Sequence, residues 1–278
     1  MAKAAANQLD IGRTLRDSYT YMREAVAPTL LGTAVYALTG LATALILSLE
    51  LLGSYSLAGA VCLYGFVALS WFAMALRRGT GQAEQGIFGM TFGLDEIRLG
   101  ISTLAVAIAL ALVGFFIGFA LFLVSMSSVI VDSGLAFQED KEPLNTYLQN
   151  FALSDAGLMA TVFIVAATAV AIGGFLYFVV RLLPFAAGSI ARGKITALQS
   201  IVWTRYQGRS LLLSFLGSAG LAIAIVAAGQ YALGLAPLPE LAIDTLRHVL
   251  GCFGALMLVG FASSAYLQLA SDTESGTQ

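Results

Sequence analysis

An all-α integral membrane protein with six transmembrane helices is predicted by three observations. There are six long, uncharged apolar runs, too few charged residues to coat a water-soluble globule, and a one-sided distribution of lysine and arginine. Of 278 residues, 59% are hydrophobic and 11% charged, with mean hydropathy +0.87. A soluble domain carries roughly 25% charged residues. Lipid is the solvent in which so little charge suffices.

A bilayer core of ~30 Å needs about 20 apolar helical residues. The runs 28–49, 54–76, 99–124, 157–180, 210–233 and 249–270 meet that length, and none has a charged residue inside. One charge at mid-bilayer would oppose insertion by about 2.5 to 3.5 kcal/mol. The first run is longer than a secretory h-region, and Asp10, Asp17 and Glu24 lie in the segment before it, so an uncleaved first helix is expected. Residues 1–270 read as one six-span domain, followed by a polar tail, 271–278, expected to be disordered.

Lysine and arginine concentrate on the cytoplasmic side of a membrane. Lys3, Arg13, Arg16 and Arg23 precede the first span, and Arg77, Arg78 and Arg98 fall in the second loop. Arg181, Arg192, Lys194, Arg205 and Arg209 fall in the fourth, leaving only Lys141 and Arg247 for the other side. Both termini and the two basic loops are therefore expected in the cytoplasm.

Helical spacing of apolar residues outside the spans suggests three interfacial amphipathic helices on that face. Ile11, Leu15, Tyr19 and Met22 form the first, and Ile87, Met90, Leu94 and Ile97, with Asp95 and Glu96 as a solvated polar pair, form a weaker second. Ile195, Leu198, Val202 and Tyr206 form the third, bracketed by Gly193 and Gly208, with Trp203 suited to the headgroup layer. The layout is a possible threefold repeat of amphipathic helix, span, external loop and span, starting near residues 8, 83 and 189. In the long external loop, Pro143 followed by Leu144, Tyr147, Leu148 and Phe151 suggests a short helix.

The segment Val180-Arg181-Leu182-Leu183-Pro184, then Gly193 through Ser200, then Arg205, Gly208 and Arg209, resembles the glycerophosphoryl diester phosphodiesterase membrane-domain family of six-span bacterial proteins. The likeness is specific over about thirty residues and departs at Gln199 and Ile201, where a basic or aromatic residue would be expected. It implies a lipid-associated module of the bacterial cytoplasmic (inner) membrane. The phosphodiesterase barrel fused to some members is absent, so the resemblance brings no catalytic residue.

The inventory of chemistry is thin. No nucleophile elbow, phosphate-cradling glycine loop or metal-ligand cluster is visible, and Ser70, Ser125, Ser127 and Ser128 lack an evident base. His248 is the one histidine; it shares a helical spacing with Asp244 but has no further ligand or nucleophile near it, and an outer-surface position is expected. Cys62 and Cys252 lie in apolar runs and read as small hydrophobes. No enzyme activity, metal, cofactor or nucleic-acid partner is expected. With no charge inside any span, ion-coupled transport is disfavoured; Gln230 and Gln268 lie near span ends.

Two sets of residues remain as candidates. Gly114 and Gly118, Gly217 and Gly220, and Gly251 and Gly254 are small faces for helix packing, within the monomer or between copies. Arg181, Arg192, Lys194, Trp203, Arg205 and Arg209 form a basic surface that suits a phospholipid headgroup or a protein partner, although topology alone also accounts for its charge. The leading expectation is a non-enzymatic, phospholipid-interacting protein of envelope lipid homeostasis. A passive transporter or permease-like subunit and a scaffold of a membrane complex are the alternatives.

Overall fold

The computed structural model describes residues 9–48, 54–82, 90–91, 93–132, 155–235 and 239–275, and these are helical without a strand. Six helices are long and apolar enough to cross a membrane, over Ile11–Thr43, Ala58–Gly79, Leu94–Leu123, Val162–Arg192, Gly208–Gly234 and Ala242–Ala270. The elements are α1 (Ile11–Ser48), α2 (Ser54–Gly79), α3 (Leu94–Asp132), α4 (Asp155–Leu182), α5 (Pro184–Arg192), α6 (Gln199–Trp203), α7 (Gly208–Phe215), α8 (Leu221–Gly234) and α9 (Glu240–Ser275). One π-helical turn, Leu216–Gly220, joins α7 to α8. The expected helix after Pro143 lies outside the described residues, as does Ile87.

The chain forms two compact units. The first comprises residues 1–106 and 180–278. The second, residues 107–179, contains the distal parts of α3 and α4, whose large side chains, Phe115, Phe116, Val165 and Val170 among them, are exposed. An exposed apolar surface of this extent is suited to contact with lipid. Inside this unit the place a Cβ would take on Gly114 lies 3.8 Å from the Phe175 ring, whereas Gly118 has open space.

In the first unit α9 is the central helix. It packs against α1, α2, α5, α7 and α8, and the core comprises Trp71, Met74, Leu76, Ile190, Leu256 and Tyr266 with smaller residues. The first turns of α1 explain how. Residues 11–22 continue directly into the span instead of forming a separate interfacial helix; Pro28 sits inside α1 without ending it. The buried stripe on α1 is Thr14, Ser18, Ala25 and Thr29, whereas Tyr19 is exposed. The inward-facing positions in the first turns are taken by small and hydroxylated residues, while Ile11, Leu15 and Met22 stay partly exposed. In lipid, hydrophobicity does not drive helices together; close packing does. The hydroxyls are satisfied within their own helix: Ser18 Oγ donates to the Thr14 carbonyl at 2.6 Å, and Thr29 Oγ1 donates to the Ala25 carbonyl. They therefore add no unpaired polar group to the interface.

Gly260 of α9 sits at a close approach of α1. A Cβ there would lie 2.9 Å from the Tyr21 ring and 3.0 Å from the Ser18 carbonyl oxygen, a backbone atom unable to move aside. The N-terminus of α1 is tied to the same helix. Asp10 Oδ1 caps the Arg13 N–H at 3.1 Å, and the Asp10 N–H donates to Gln268 Oε1 at 3.0 Å. Gln268 Nε2 in turn donates to Thr14 Oγ1 at 3.0 Å, so this glutamine joins helices. Beyond it α9 continues to Ser275, and the first five residues of the expected disordered tail are helical.

The role of Gly260 is directly measurable. Gly260→Val should destabilise the detergent-solubilised protein by about 1 to 3 kcal/mol through overpacking. Gly251→Val, where the added Cβ meets nothing within 4 Å, should change thermal unfolding far less. Equal losses would remove the close-approach explanation.

Candidate functional site

The end of α2 and the start of α3 meet through charge. Arg77 is 4% exposed and Glu96 1% exposed, and their side chains pair at 2.6 Å. Arg77 Nη1 donates to Thr91 Oγ1 at 2.8 Å, Thr91 Oγ1 donates to Glu96 Oε1 at 2.7 Å, and the Gly93 N–H donates to Glu96 Oε2 at 2.8 Å. Glu96 is therefore buried and not part of a solvated face. Burial of a carboxylate is tolerable when its lone pairs are met in this way. Asp95 stays half-buried, 3.6 Å from Arg77 and 3.1 Å from Arg98.

The segment after α4 was expected to hold one amphipathic helix over residues 195–206. The structure divides it. Pro184 opens the short helix α5, as its fixed φ and missing N–H favour, and Gly193 ends it in the left-handed region (φ 56°). Turns follow on either side of the five-residue α6, so Gly193 and Gly208 flank a turn–helix–turn.

This irregular segment is fastened by buried hydroxyls. Thr196 Oγ1 donates to the Phe185 carbonyl at 2.9 Å and lies 2.9 Å from Ser189 Oγ, which donates to Ser102 Oγ of α3 at 3.1 Å. Thr204 Oγ1 donates to the Ser200 carbonyl at 2.7 Å. Arg181, at the end of α4, donates from Nη2 to the Ile201 carbonyl at 2.7 Å and from Nε to Thr204 Oγ1 at 3.2 Å. Its geometry is that of a strut under the segment.

Arg192 is held from two sides. Its Nε donates to the Tyr266 hydroxyl at 3.1 Å, and its guanidinium lies 4.6 Å above the centre of the Trp203 ring. Trp203 fits there because Gly188, one turn before Arg192, has no side chain; a Cβ would lie 2.8 Å from the indole. With its face and Nε engaged in this way, Arg192 remains an exposed residue. Lys194, Arg205 and Arg209 are exposed, with Arg205 near the Tyr206 ring at 5.5 Å. Along the same stretch Ile195 and Leu198 are exposed, Val202 is 71% exposed and Tyr206 85%.

Of the remaining glycines, Gly217 faces Leu15 of α1 at 2.9 Å from its would-be Cβ, and Gly254 faces Val226 at 3.3 Å. Gly220 belongs to the π-helical turn, where its would-be Cβ meets the Phe215 carbonyl oxygen at 3.1 Å. Gly251 has open space. Tyr19 reaches the turn as well, donating to the Gly217 carbonyl at 2.9 Å.

Toward the opposite end, Tyr36 stacks between Tyr64 and Trp71, with centres 5.4 and 5.2 Å away. Tyr64 donates to the Tyr36 hydroxyl at 2.8 Å, and Trp71 Nε1 donates to Thr33 Oγ1 at 3.0 Å. His248 packs on Gly40 and edge-on to Tyr64, while Asp244 is 3.5 Å from Arg247. Among the described residues no group of three or more His, Cys, Asp or Glu could hold a metal ion. A cavity of about 270 Å³ is lined by Leu63, Phe66, Val67, Ser70, Met90 and Thr91.

The comparisons with protein-family models, curated proteins and solved structures match none of them.

The buried pair tests how this end of the bundle is assembled. Glu96→Ala or Arg77→Ala alone should destabilise the protein by about 3 to 5 kcal/mol, because each leaves its partner's charge buried. The double variant Arg77→Met, Glu96→Leu should recover most of that loss in a detergent unfolding assay. A double variant no better than either single one would mean that the pair is not the source of the stability.

Proposed function

We propose that this chain is a non-enzymatic, multi-pass membrane protein that binds anionic phospholipid at its cytoplasmic face and serves envelope lipid homeostasis. The observation that carries this reading is the 194–209 segment. It exposes apolar side chains, Ile195, Leu198, Val202 and Tyr206, beside exposed cations, Lys194, Arg205 and Arg209. Apolar groups that enter a leaflet beside cations that stay at headgroup depth are the pattern of an interfacial segment. Each cation near an anionic leaflet contributes roughly 1 kcal/mol. The hydroxyl and Arg181 bonds hold the segment in shape, which lowers the ordering entropy lost on binding. The resemblance to the glycerophosphoryl diester phosphodiesterase membrane-domain family points the same way.

The charge distribution orients the chain with its C-terminus in the cytoplasm and the loop containing Lys141 outside, in a bacterial inner membrane. In intact cells, a membrane-impermeant thiol reagent should modify a cysteine placed at Asn145 and spare one at Thr273. The reverse labelling would invert the topology and move the basic segment to the wrong leaflet.

Binding is tested by reversing the exposed charges. Lys194→Glu, Arg205→Glu, Arg209→Glu should reduce co-purifying anionic phospholipid severalfold, read by lipid-retaining mass spectrometry, with thermal unfolding unchanged. An unaltered lipid profile would make the basic segment a topology signal only.

A further inference from the structure

The cations around Gly193 are more organised than an anionic leaflet requires. Two contacts tie the start of α3 to α5 and the turn that ends it: Ser189 Oγ donates to Ser102 Oγ, and Arg98, one turn before Ser102, lies beside Gly193, one turn after Ser189. The place a Cβ would take on Gly193 lies 3.3 Å from Arg98 Nη1. Arg98 thus lies against the backbone between Arg192 and Lys194. Two of the three side chains are fixed before any ligand arrives. Arg98 is bonded to Asp95 at 3.1 Å, and Arg192 is held by Tyr266 and Trp203. Bonded arginines with terminal nitrogens left over are suited to bidentate recognition of phosphate oxygens.

The local charge does not balance. Among the described residues, Arg77, Arg98, Arg192 and Lys194 are set against Asp95 and Glu96, and Glu96 is already bonded to Arg77. Two positive charges are left over. A phosphomonoester carries about −1.5 to −2 at pH 7, which matches that excess, whereas a phosphodiester carries a single charge. Glycine at 193 has two causes: its positive φ, and the arginine lying where a side chain would be.

We propose that Arg98, Arg192 and Lys194, converging on the Gly193 turn, form a phosphomonoester site, selective for a terminal phosphate over a phosphodiester. The site faces the leaflet beside the exposed apolar row of residues 195–206, so the phosphate is that of a lipid such as a phosphatidate. The proposal rests on the phospholipid reading above and narrows it to one headgroup chemistry.

Trp203 stacks on Arg192 and is one of two tryptophans, so a Trp71→Phe protein in detergent has a single reporter at the site. Its fluorescence should titrate saturably with dioctanoyl phosphatidate, with affinity about tenfold or more above that for dioctanoyl phosphatidylglycerol. Arg98→Gln and Arg192→Gln should each bring the two affinities close together. Arg98→Lys should restore part of the preference, and Arg13→Gln, on an exposed face of α1, should leave it intact. Inorganic phosphate in the same titration identifies the source. Weak or no competition supports a lipid, and competition as strong as that of phosphatidate keeps the phosphomonoester chemistry but overturns the lipid assignment. Equal wild-type affinity for the two lipids would overturn the site while leaving general anionic binding in place. A preference that survives both glutamine variants would overturn it too. No response to any anionic lipid would instead remove the reading on which it rests.

Discussion

The contact of α1 with α9 at Gly260 sets the geometry on which the rest of the described bundle depends. In lipid there is no hydrophobic force to select which faces of two apolar helices meet, so the interface is chosen by how near their backbones can come. Gly260 allows the Ser18 carbonyl and Tyr21 to lie against α9, and the hydroxyls of Thr14, Ser18 and Thr29 fill the seam while bonding their own helix. Once α1 and α9 are registered, Gln268 can cap the start of α1, and Tyr266, two residues away, is placed to receive Arg192. The placement of Arg192 is in this sense a consequence of a glycine contact between α1 and α9.

A second constraint acts at the ends of the helices, where backbone groups lose their partners. The segment between α5 and α7 contains little regular structure, so its buried backbone groups need partners other than a helix ladder. Arg181, Thr196 and Thr204 meet that demand from side chains, and Gln82 Nε2 donates to the Ala191 carbonyl at 3.2 Å at the end of α5. The same bonds keep Ile195, Leu198, Val202 and Tyr206 on the outside. Anchorage and exposure are thus two results of one set of hydrogen bonds.

The spans were legible because lipid imposes a length and excludes charge, two properties that a single sequence displays directly. The partners of the charges were not. Glu96 resembles any acidic residue at the start of a helix; only the fold brings Arg77, nineteen positions earlier, to within 2.6 Å. Arg181 and Arg192 belong to the same basic loop in the sequence, yet one supports the backbone of the segment and the other stacks on Trp203. The apolar residues at 11, 15, 19 and 22 suggested a separate interfacial helix because spacing alone does not show that α1 runs unbroken into the span, with Thr14 and Ser18 at its buried positions. Ser263 and Ser264, hydroxylated residues within a long apolar run, were an available signal for a packed face. Thr14 and Ser18 lie in the charged segment before the first run and carried no such mark. The glycine pairs were a weaker guide, since spacing alone does not distinguish Gly254, which meets Val226, from Gly251, which meets open space.

The central claim is that the anchored segment lays its apolar row in the cytoplasmic leaflet. Spin labels at Val202 and Tyr206 in the reconstituted protein measure this through their accessibility to oxygen, which partitions into lipid, and to a nickel chelate, which stays in water. The account predicts oxygen-dominated relaxation at both positions, with a label at Arg205 shifted toward the aqueous phase. Nickel-dominated relaxation at Val202 and Tyr206 would place the row in water and contradict it.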